Sequence, residues 1–391
     1  MCAVEAADIF RQYGHAYRRS HEMPLNQLRA MRAIEVCRTA ELGGHVEQCD
    51  TCGAIRISYN SCRNRHCPKC QFLRKEKWLE KRKEDLLPVQ YFHVVFTIPD
   101  ELNPLALRNQ RVIYNILFRS VAETLTELSR DQKHLGAQIG FIGILHTWGQ
   151  NLMYHPHIHC IVTGGGLSPD GDKWVSCRKG FFLPVKVMSR LFRGKFLDYL
   201  RKSYDSQELI FPGNISHLQE SEAFKEFLKG FYSQEWVVYC KPPFKCPEMV
   251  LEYLGRYTHR IAIGNHRILK IEDGKVSFLW RDYADGNRNK IMTLDAFEFI
   301  RRFLLHVLPD KFVKIRYYGL LGNRNRKAML SKCRKFLGVI TVKVSNRDVS
   351  ETWQEFLLRV CGINLMRCPF CGKGKMVRKA VLLPERYKEP P

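Results

Sequence analysis

The sequence lacks any apolar run that approaches the ~20 residues required by a membrane-spanning helix. Its N-terminus also lacks the basic and apolar segments of a secretion signal. Acidic residues are scarce: 39 Asp and Glu accompany 63 Lys and Arg, so the formal net charge is +24. These absences predict a cytoplasmic protein without a membrane anchor. The excess of positive charge predicts a polyanionic partner, for which nucleic acid is favoured over an acidic membrane.

The rest of the composition is typical of a folded globular protein. Apolar residues make up 45% of the 391 residues and aromatic residues 12%, which is more than a disordered chain contains. A chain of this length can form two or three domains. In a reducing compartment, the 15 cysteines indicate metal sites more than disulfides.

Two cysteine knuckles near the N-terminus predict a structural zinc site. Cys49-x2-Cys52 and Cys67-x2-Cys70 enclose fourteen residues, and each knuckle supplies two thiolates from one tight turn. We therefore predict that one Zn²⁺ binds these four cysteines; the alternative is four unrelated buried thiols. Arg63 and Arg65 lie in the same segment and are predicted to contact DNA phosphates, unless they only form a solvated face.

Further potential zinc ligands are interleaved with these knuckles. The second set consists of Cys37, His45, Cys62 and His66. Together the two sets could form a cross-braced module with two zinc ions, although Cys62 and His66 could instead pack in the interior or contact DNA. One more knuckle, Cys368-x2-Cys371, lies near the C-terminus. We expect its partners, if any, to be Cys333, Cys361 or a histidine, and the sequence leaves this site open.

A histidine pair and a tyrosine pair are the candidate catalytic residues. His157 and His159 alternate along a predicted strand and so share one face, as two ligands of a metal ion would. Tyr253 and Tyr257 share one face of a predicted helix. The alternatives are a histidine-rich strand face and an ordinary core pair of aromatic residues. The basic residues near the tyrosines favour a phosphate-binding face and are predicted to bind DNA: Arg256, Arg260 and Arg267.

Together these pairs predict attack on a phosphodiester. A divalent ion held by histidines could polarise the phosphate and stabilise the leaving 3′ oxygen. A tyrosine that attacks in line would form a 5′-phosphotyrosine and release a 3′-OH, which conserves the bond energy for rejoining. Two tyrosines would allow two successive transfers.

At these motifs the sequence resembles a known family. His157-Ile158-His159 is similar to the His-hydrophobe-His motif of the HUH endonucleases, and Tyr253 and Tyr257 are similar to the tyrosines of their two-tyrosine branch. Segments 61–71, 256–263 and 318–321 resemble bacterial rolling-circle transposases of the insertion-sequence-ninety-one type. The likeness covers nearly the whole chain, about residues 20–335.

The resemblance implies an α+β fold with a central antiparallel sheet flanked by helices, preceded by a small zinc-binding domain. It also implies Mg²⁺ or Mn²⁺ as the catalytic ion, single-stranded DNA at transposon ends as the substrate, and a nucleoid-associated bacterial protein. The domains would be residues 1–88 (helical, zinc- and DNA-binding), 89–310 (catalytic) and 311–391 (basic, with the last knuckle).

The third ligand of the catalytic ion depends on how two strands pair. If strands 141–150 and 157–162 form a hairpin around a six-residue loop, Gln150 lies opposite His157 and faces the same side. HUH enzymes that resemble this chain often take Glu, His or Gln from this region. We therefore predict Gln150, with His155 and His146 as reserves.

Other functions remain open at this point. A replication initiator or relaxase would share the nicking chemistry, but the sequence has no P-loop of a fused helicase. A zinc-dependent DNA-binding regulator would leave the histidines and tyrosines without a role, and a zinc hydrolase would leave the tyrosines without one.

Overall fold

A computed structural model describes residues 4–244, 249–250, 253, 255, 262–282, 285–339 and 351–385. Tyr257, Arg256 and Arg260 lie outside these ranges. The helices are α1 (Ala6–Ser20), α2 (Leu25–Glu35), α3 (Gln71–Lys83), α4 (Asn103–Arg108), α5 (Gln110–Arg130), α6 (Val185–Asp205), α7 (Ser221–Ser233), α8 (Ala296–Leu304), α9 (Arg326–Phe336) and α10 (Trp353–Cys361). The strands are β1 (Gly44–Cys49), β2 (Ile55–Tyr59), β3 (Tyr91–Thr97), β4 (Gln138–Trp148), β5 (Tyr154–Leu167), β6 (Trp174–Ser176), β7 (Val238–Lys241), β8 (Ile268–Glu272), β9 (Lys275–Asp282), β10 (Arg288–Asp295), β11 (Ile315–Gly319) and β12 (Met376–Leu382).

The chain forms two compact units, and each is assembled from separate stretches of sequence. The first unit contains residues 1–78, 259–307 and 342–391, and the second contains residues 79–258 and 308–341. The division into 1–88, 89–310 and 311–391 that we expected treats each domain as one continuous stretch. The structure differs because the C-terminal stretch returns to pair with the N-terminal strands.

The second unit is built around one antiparallel sheet with the order β11-β4-β5-β3-β7, to which β6 is added at β5. β5 is buried along almost its full length, which explains its long apolar run. Helix α6 covers one face, where Phe96 of β3 packs against Phe192 with their ring centroids 5.1 Å apart. Because side chains alternate along a strand, His93 of β3 lies on the opposite face. The α+β architecture and the antiparallel sheet flanked by helices are confirmed.

The first unit contains two small antiparallel sheets. β10-β9-β8 packs on α8, where Phe278 and Phe299 lie 5.8 Å apart between ring centroids. Asp295 caps α8, since its carboxylate accepts a hydrogen bond from the N–H of Phe297 at 2.8 Å. The other sheet, β12-β1-β2, joins a C-terminal strand to the N-terminal hairpin. This sheet brings the cysteine knuckles of both chain ends together.

Candidate active site and metal centres

Three buried histidines meet on the face of the large sheet opposite α6. His157 and His159 alternate along β5, and His146 of β4 pairs directly with His157, so the three side chains share one face. The nitrogen atoms that could bind a metal all lie within 4.8 Å of one another. The Nε2 atoms of His157 and His159 are 3.0 Å apart.

Neighbouring groups orient two of these imidazoles. Nδ1 of His157 lies 2.6 Å from the main-chain carbonyl oxygen of His155 and donates to it. Nδ1 of His159 lies 2.8 Å from Nε2 of His93. A bond that engages Nδ1 leaves Nε2 as the nitrogen available to a metal. Both Nε2 atoms therefore point to one centre.

The environment keeps these rings neutral, which is the form that binds metal. Burial, with a smaller effect of His155, lowers the pKa of His157 to about 4. Burial also holds the pKa of His159 well below its ordinary value. Two neutral imidazoles, with the buried ring of His146 beside them, suit a divalent cation.

The Tyr253 hydroxyl lies beside this cluster. Its oxygen is 3.0 Å from Nδ1 and 3.2 Å from Nε2 of His93, and His93 stacks on His159 with centroids 5.0 Å apart. A line of contacts therefore runs from the tyrosine through His93 to His159. Burial and the charge of Lys241 lower the pKa of His93 to about 3, so this ring is also neutral.

The helical segment that carries Tyr253 approaches α3 closely. A Cβ atom on Gly255 would lie 2.9 Å from a methyl carbon of Leu79. The glycine therefore allows close contact with Leu79, although a flexible leucine side chain could shift to admit a small residue.

The register that favoured Gln150 is wrong. Strand β4 ends at Trp148, and the residue opposite His157 is His146. Gln150 lies in the turn between the two strands and therefore does not pair with His157. A bulge between His146 and Trp148 changes the pairing. His155 is the second residue of β5. Its Nδ1 lies 3.1 Å from the carboxylate of Asp100, and it is not one of the three clustered ligand candidates.

Sequence reasoning missed His93. His93 lies close to His159 because β3 pairs with β5. In that pairing Val95 lies opposite His159, and His93 is two residues from Val95 on the same face. A histidine in an otherwise apolar strand was the available signal.

The cysteines form two groups of four. The first contains Cys37, Cys62, Cys67 and Cys70. The Sγ atoms of Cys37 and Cys70, of Cys62 and Cys70, and of Cys37 and Cys67 are each 3.6 Å apart. Four sulfurs around a tetrahedral zinc with bonds of ~2.3 Å would lie ~3.8 Å apart. Hydrogen bonds from the neighbouring thiols of Cys62 and Cys67 lower the pKa of Cys37 to about 7.

The second group consists of Cys49, Cys52, Cys368 and Cys371. Its sulfurs pair across the two knuckles, with Cys49 and Cys371 3.8 Å apart and Cys52 and Cys368 also 3.8 Å apart. Hydrogen bonds from the main-chain N–H groups of Gly374 and Lys373 lower the pKa of Cys371 to about 6.

These groups correct the zinc assignment. The knuckles 49/52 and 67/70 belong to different groups, and Cys368 and Cys371 meet neither Cys333 nor Cys361. His45 lies 3.3 Å from the carboxylate of Glu47, and His66 lies 3.2 Å from the side-chain oxygen of Asn64. Neither histidine is part of a cysteine group in the described residues.

The predicted DNA-binding arginines differ in exposure. Arg63 is exposed in a left-handed conformation (φ 52°), and Arg65 is half-buried. Arg267 is buried: its Nε donates to the carbonyl of Leu279 at 2.7 Å, and its guanidinium lies over Phe278. In this structure the Arg267 side chain contacts the small sheet and is not presented on the surface, so its contact with DNA stays a prediction.

Two family models match this chain. A family model described as "Transposase zinc-binding domain" matches residues 9–98, and one described as "Putative transposase" matches residues 140–328. A Sinorhizobium fredii (strain NBRC 101917 / NGR234) protein named "Putative transposase y4qJ" is 53% identical over 374 residues, 95% of this chain and 94% of that protein. The chain belongs to the IS91 family of transposases.

A second relative is more distant. The "Transposase for insertion sequence element IS801" of Pseudomonas savastanoi pv. phaseolicola is 28% identical to this transposase over 349 residues, 88% of this chain and 82% of that protein. No solved structure matches the chain. As a transposase it acts on DNA, and the N-terminal match makes zinc its structural cofactor. Among the described residues, no helix is both long and apolar enough to cross a membrane.

Proposed function

We propose that this transposase nicks and rejoins single-stranded DNA at the ends of an insertion sequence, in rolling-circle fashion, through a 5′-phosphotyrosine. The observation that carries the proposal is the position of the Tyr253 hydroxyl. It contacts His93, and His93 in turn contacts His159 of the three-histidine cluster. Charge also supports it, since a protein of net charge +24 attracts a polyanion.

We propose His146, His157 and His159 as the ligands of a catalytic Mg²⁺ or Mn²⁺. When bound, such an ion would polarise the scissile phosphate and stabilise the leaving 3′ oxygen. The fit rests on nitrogen atoms of three buried histidines that lie within 4.8 Å of one another. His146 takes the place first given to Gln150, because the strand register puts it opposite His157.

Tyr253 acts as a nucleophile, and His93 orients it. If His159 binds metal through Nε2, its Nδ1 carries a proton and donates to Nε2 of His93. His93 then carries its own proton on Nδ1, 3.0 Å from the tyrosine oxygen. A neutral N–H donor at this position stabilises the phenolate that attacks.

Each cleavage exchanges one phosphodiester bond for another, and rejoining is the reverse: a 3′-OH attacks the phosphotyrosine, loses its proton to solvent and displaces the tyrosine, which takes a proton up. The bond between the tyrosine oxygen and phosphorus forms as the bond from phosphorus to the 3′ oxygen breaks. The phenol releases its proton to solvent, and the departing 3′ oxygen takes one up. Tyr257 is proposed as the second nucleophile, so that one tyrosine holds the first DNA end during the second transfer.

The first unit supplies structure and DNA contact. Cys37, Cys62, Cys67 and Cys70 are proposed as the ligands of its zinc, with Arg63 and Arg65 against phosphates. We place the protein in the bacterial cytoplasm, on the nucleoid. A non-catalytic zinc regulator is less well supported, because it would not need buried histidines beside a tyrosine.

The test is covalent capture of DNA. Purified protein with Mn²⁺ is incubated with single-stranded oligonucleotides from the ends of its own element, and a protein–DNA adduct is measured on denaturing gels. We expect an adduct with the wild-type chain and with Tyr232→Phe, whose exposed tyrosine on α7 serves as the matched control. An undiminished adduct in the Tyr253→Phe, Tyr257→Phe double variant would refute the mechanism.

A further inference from the structure

The second cysteine group joins the two ends of the chain. Cys49 is the last residue of β1 and Cys52 follows it in a turn, whereas Cys368 and Cys371 precede β12, which pairs antiparallel with β1. The sulfurs that meet across the group belong to residues 316 and 322 positions apart in the sequence. This group lies partly outside both matched family regions, since Cys368 and Cys371 follow residue 328.

Each half of the group has the same local structure. In both knuckles a glycine follows the second cysteine with positive φ, 70° at Gly53 and 65° at Gly372, where other residues are disfavoured. The N–H of Gly53 donates to the carbonyl of Cys49 at 3.1 Å, and the N–H of Gly372 donates to that of Cys368 at 3.0 Å.

Main-chain N–H groups also point at the sulfurs. The N–H groups of Thr51 and Cys52 both lie 3.4 Å from Sγ of Cys49. In the other knuckle, the N–H of Phe370 lies 3.4 Å from Sγ of Cys368, and that of Gly374 lies 3.4 Å from Sγ of Cys371. Such donors stabilise thiolates, and thiolates are the form that binds a metal.

The two knuckles approach each other through Gly374. A Cβ atom at this position would collide with Sγ of Cys49 and would lie 2.6 Å from the side-chain oxygens of Asp50 and Thr51. Asp50 and Lys375 also exchange main-chain and side-chain hydrogen bonds of 3.0 and 2.8 Å. The backbone is therefore shaped for close contact between the two knuckles.

Little apolar packing surrounds this contact. The buried cluster at the knuckles consists of Cys49, Cys368 and Met376, with Ala54 and Cys371 at its edge. A small sheet with so small a core requires another source of stability, which metals provide in small domains. The separation of 3.8 Å between sulfurs is too long for a disulfide, whose sulfurs lie ~2.05 Å apart, and fits the edge of a tetrahedral zinc site.

We propose that Cys49, Cys52, Cys368 and Cys371 bind a second structural Zn²⁺, which fastens the C-terminal segment to the N-terminal sheet. The ion is zinc because a tetrahedral site of four thiolates selects Zn or iron and the adjoining domain is of a zinc-binding family. The proposal does not rest on the DNA chemistry of the other unit.

Metal analysis of the full-length chain tests it. We expect two zinc ions per wild-type chain and loss of one in the Cys368→Ser, Cys371→Ser double variant. Cys361→Ser is the matched control, since Cys361 precedes the knuckle but belongs to neither group, and it should keep both ions. One zinc in the wild-type chain, unchanged zinc in the double variant, or iron in place of the second zinc would each overturn the proposal.

A measurement on the wild-type chain avoids variants that fail to fold. Thiols are alkylated briefly before and after chelation, and the modified cysteines are identified by mass spectrometry. Cys52 is exposed and Cys371 half-exposed, so burial alone would not protect them. We expect both to react only after chelation, whereas Cys361 reacts throughout. Reaction of Cys52 and Cys371 at the rate of Cys361 in the zinc-loaded protein would contradict the proposal.

One further variant keeps all eight thiols. Gly374→Val should lose the second zinc at a chelator concentration that leaves the wild-type chain loaded, because its side chain separates the knuckles. Gly53 has nothing near the position of a Cβ atom, so Gly53→Asn, which tolerates positive φ, should retain it. Equal zinc retention in the two variants would show that the knuckles do not meet through Gly374.

Discussion

His93 is the residue whose removal tests the proposed active site most informatively. It is 1% exposed, lies 2.8 Å from His159 and 3.0 Å from the hydroxyl of Tyr253, and belongs to neither the proposed metal ligands nor the nucleophiles. His93→Leu places an apolar side chain of similar size at this buried position of β3 and removes both hydrogen bonds. We expect it to fold and to form the DNA adduct slowly.

The size of the effect follows from these two contacts. A hydrogen bond to a charged group contributes about 1.5–3 kcal/mol, which corresponds to a loss of about 10- to 150-fold in the rate of attack by a phenolate. Loss of the group that orients a metal-bound histidine weakens metal affinity by about 10- to 100-fold. The variant should therefore require more Mn²⁺ and stay slow when Mn²⁺ is saturating.

Single-turnover adduct formation separates the two effects. The rate is measured over a range of Mn²⁺ concentrations and of pH, with His134→Leu as a control, since His134 is exposed in a turn. Higher pH should restore part of the rate of His93→Leu, because hydroxide then removes the phenol proton without a nearby donor. A wild-type rate for His93→Leu at every Mn²⁺ concentration and pH would refute the role given to His93.

Three further predictions follow from the same unit. His146→Ala should abolish Mn²⁺-dependent adduct formation while Gln150→Ala retains it, and the reverse result in the gel assay would restore the first ligand assignment. Without metal, the melting temperature should fall as the pH decreases from about 6.5 towards 4. His157 has a pKa of about 4 in the folded chain, so the unfolded chain binds the proton more readily in this range. A melting temperature that does not change with pH would contradict this. Gly319→Ala should lower the free energy of unfolding by roughly 2–4 kcal/mol, because Gly319 has φ 57° and a Cβ atom would collide with the carbonyl oxygen of Ile139. Gly230→Ala in α7 should instead raise the free energy of unfolding by up to ~1 kcal/mol. Equal melting temperatures for these two variants would contradict the last prediction.

Local patterns were sufficient to predict the secondary elements that carry the chemistry. The alternation of His157 and His159 depends only on the geometry of one strand, and the structure places both on one face of β5. The antiparallel sheet flanked by helices is also confirmed. These features follow from the periodicity of short segments, which a sequence displays directly.

The pairing of those elements was not accessible in the same way. The identity of the residue opposite His157 depends on the length of the β4–β5 turn and on a bulge at His146–Trp148, and one step of register moves a side chain to the other face. Leu152 in that turn has φ 63°, a conformation that its residue type does not predict.

The zinc ligands illustrate the same limit over a longer distance. The spacing of Cys49 and Cys52 predicts a knuckle but carries no information about its partner. Its partner lies more than three hundred residues later, at Cys368 and Cys371, because β12 pairs with β1. Only the fold brings these thiols together, and for the same reason the compact units do not follow continuous stretches of sequence.

Mass spectrometry of the trapped peptide–DNA adduct tests the central claim most directly. Trypsin cleaves after Lys245, Arg256 and Arg260, so the two tyrosines fall on separate peptides, 246–256 and 257–260. We predict a nucleotide phosphate on Tyr253 in the first peptide, on Tyr257 in the second, or on both, and dependence of the adduct on Mn²⁺ or Mg²⁺. An adduct on any other residue, or cleavage of DNA with no covalent intermediate, would contradict the account.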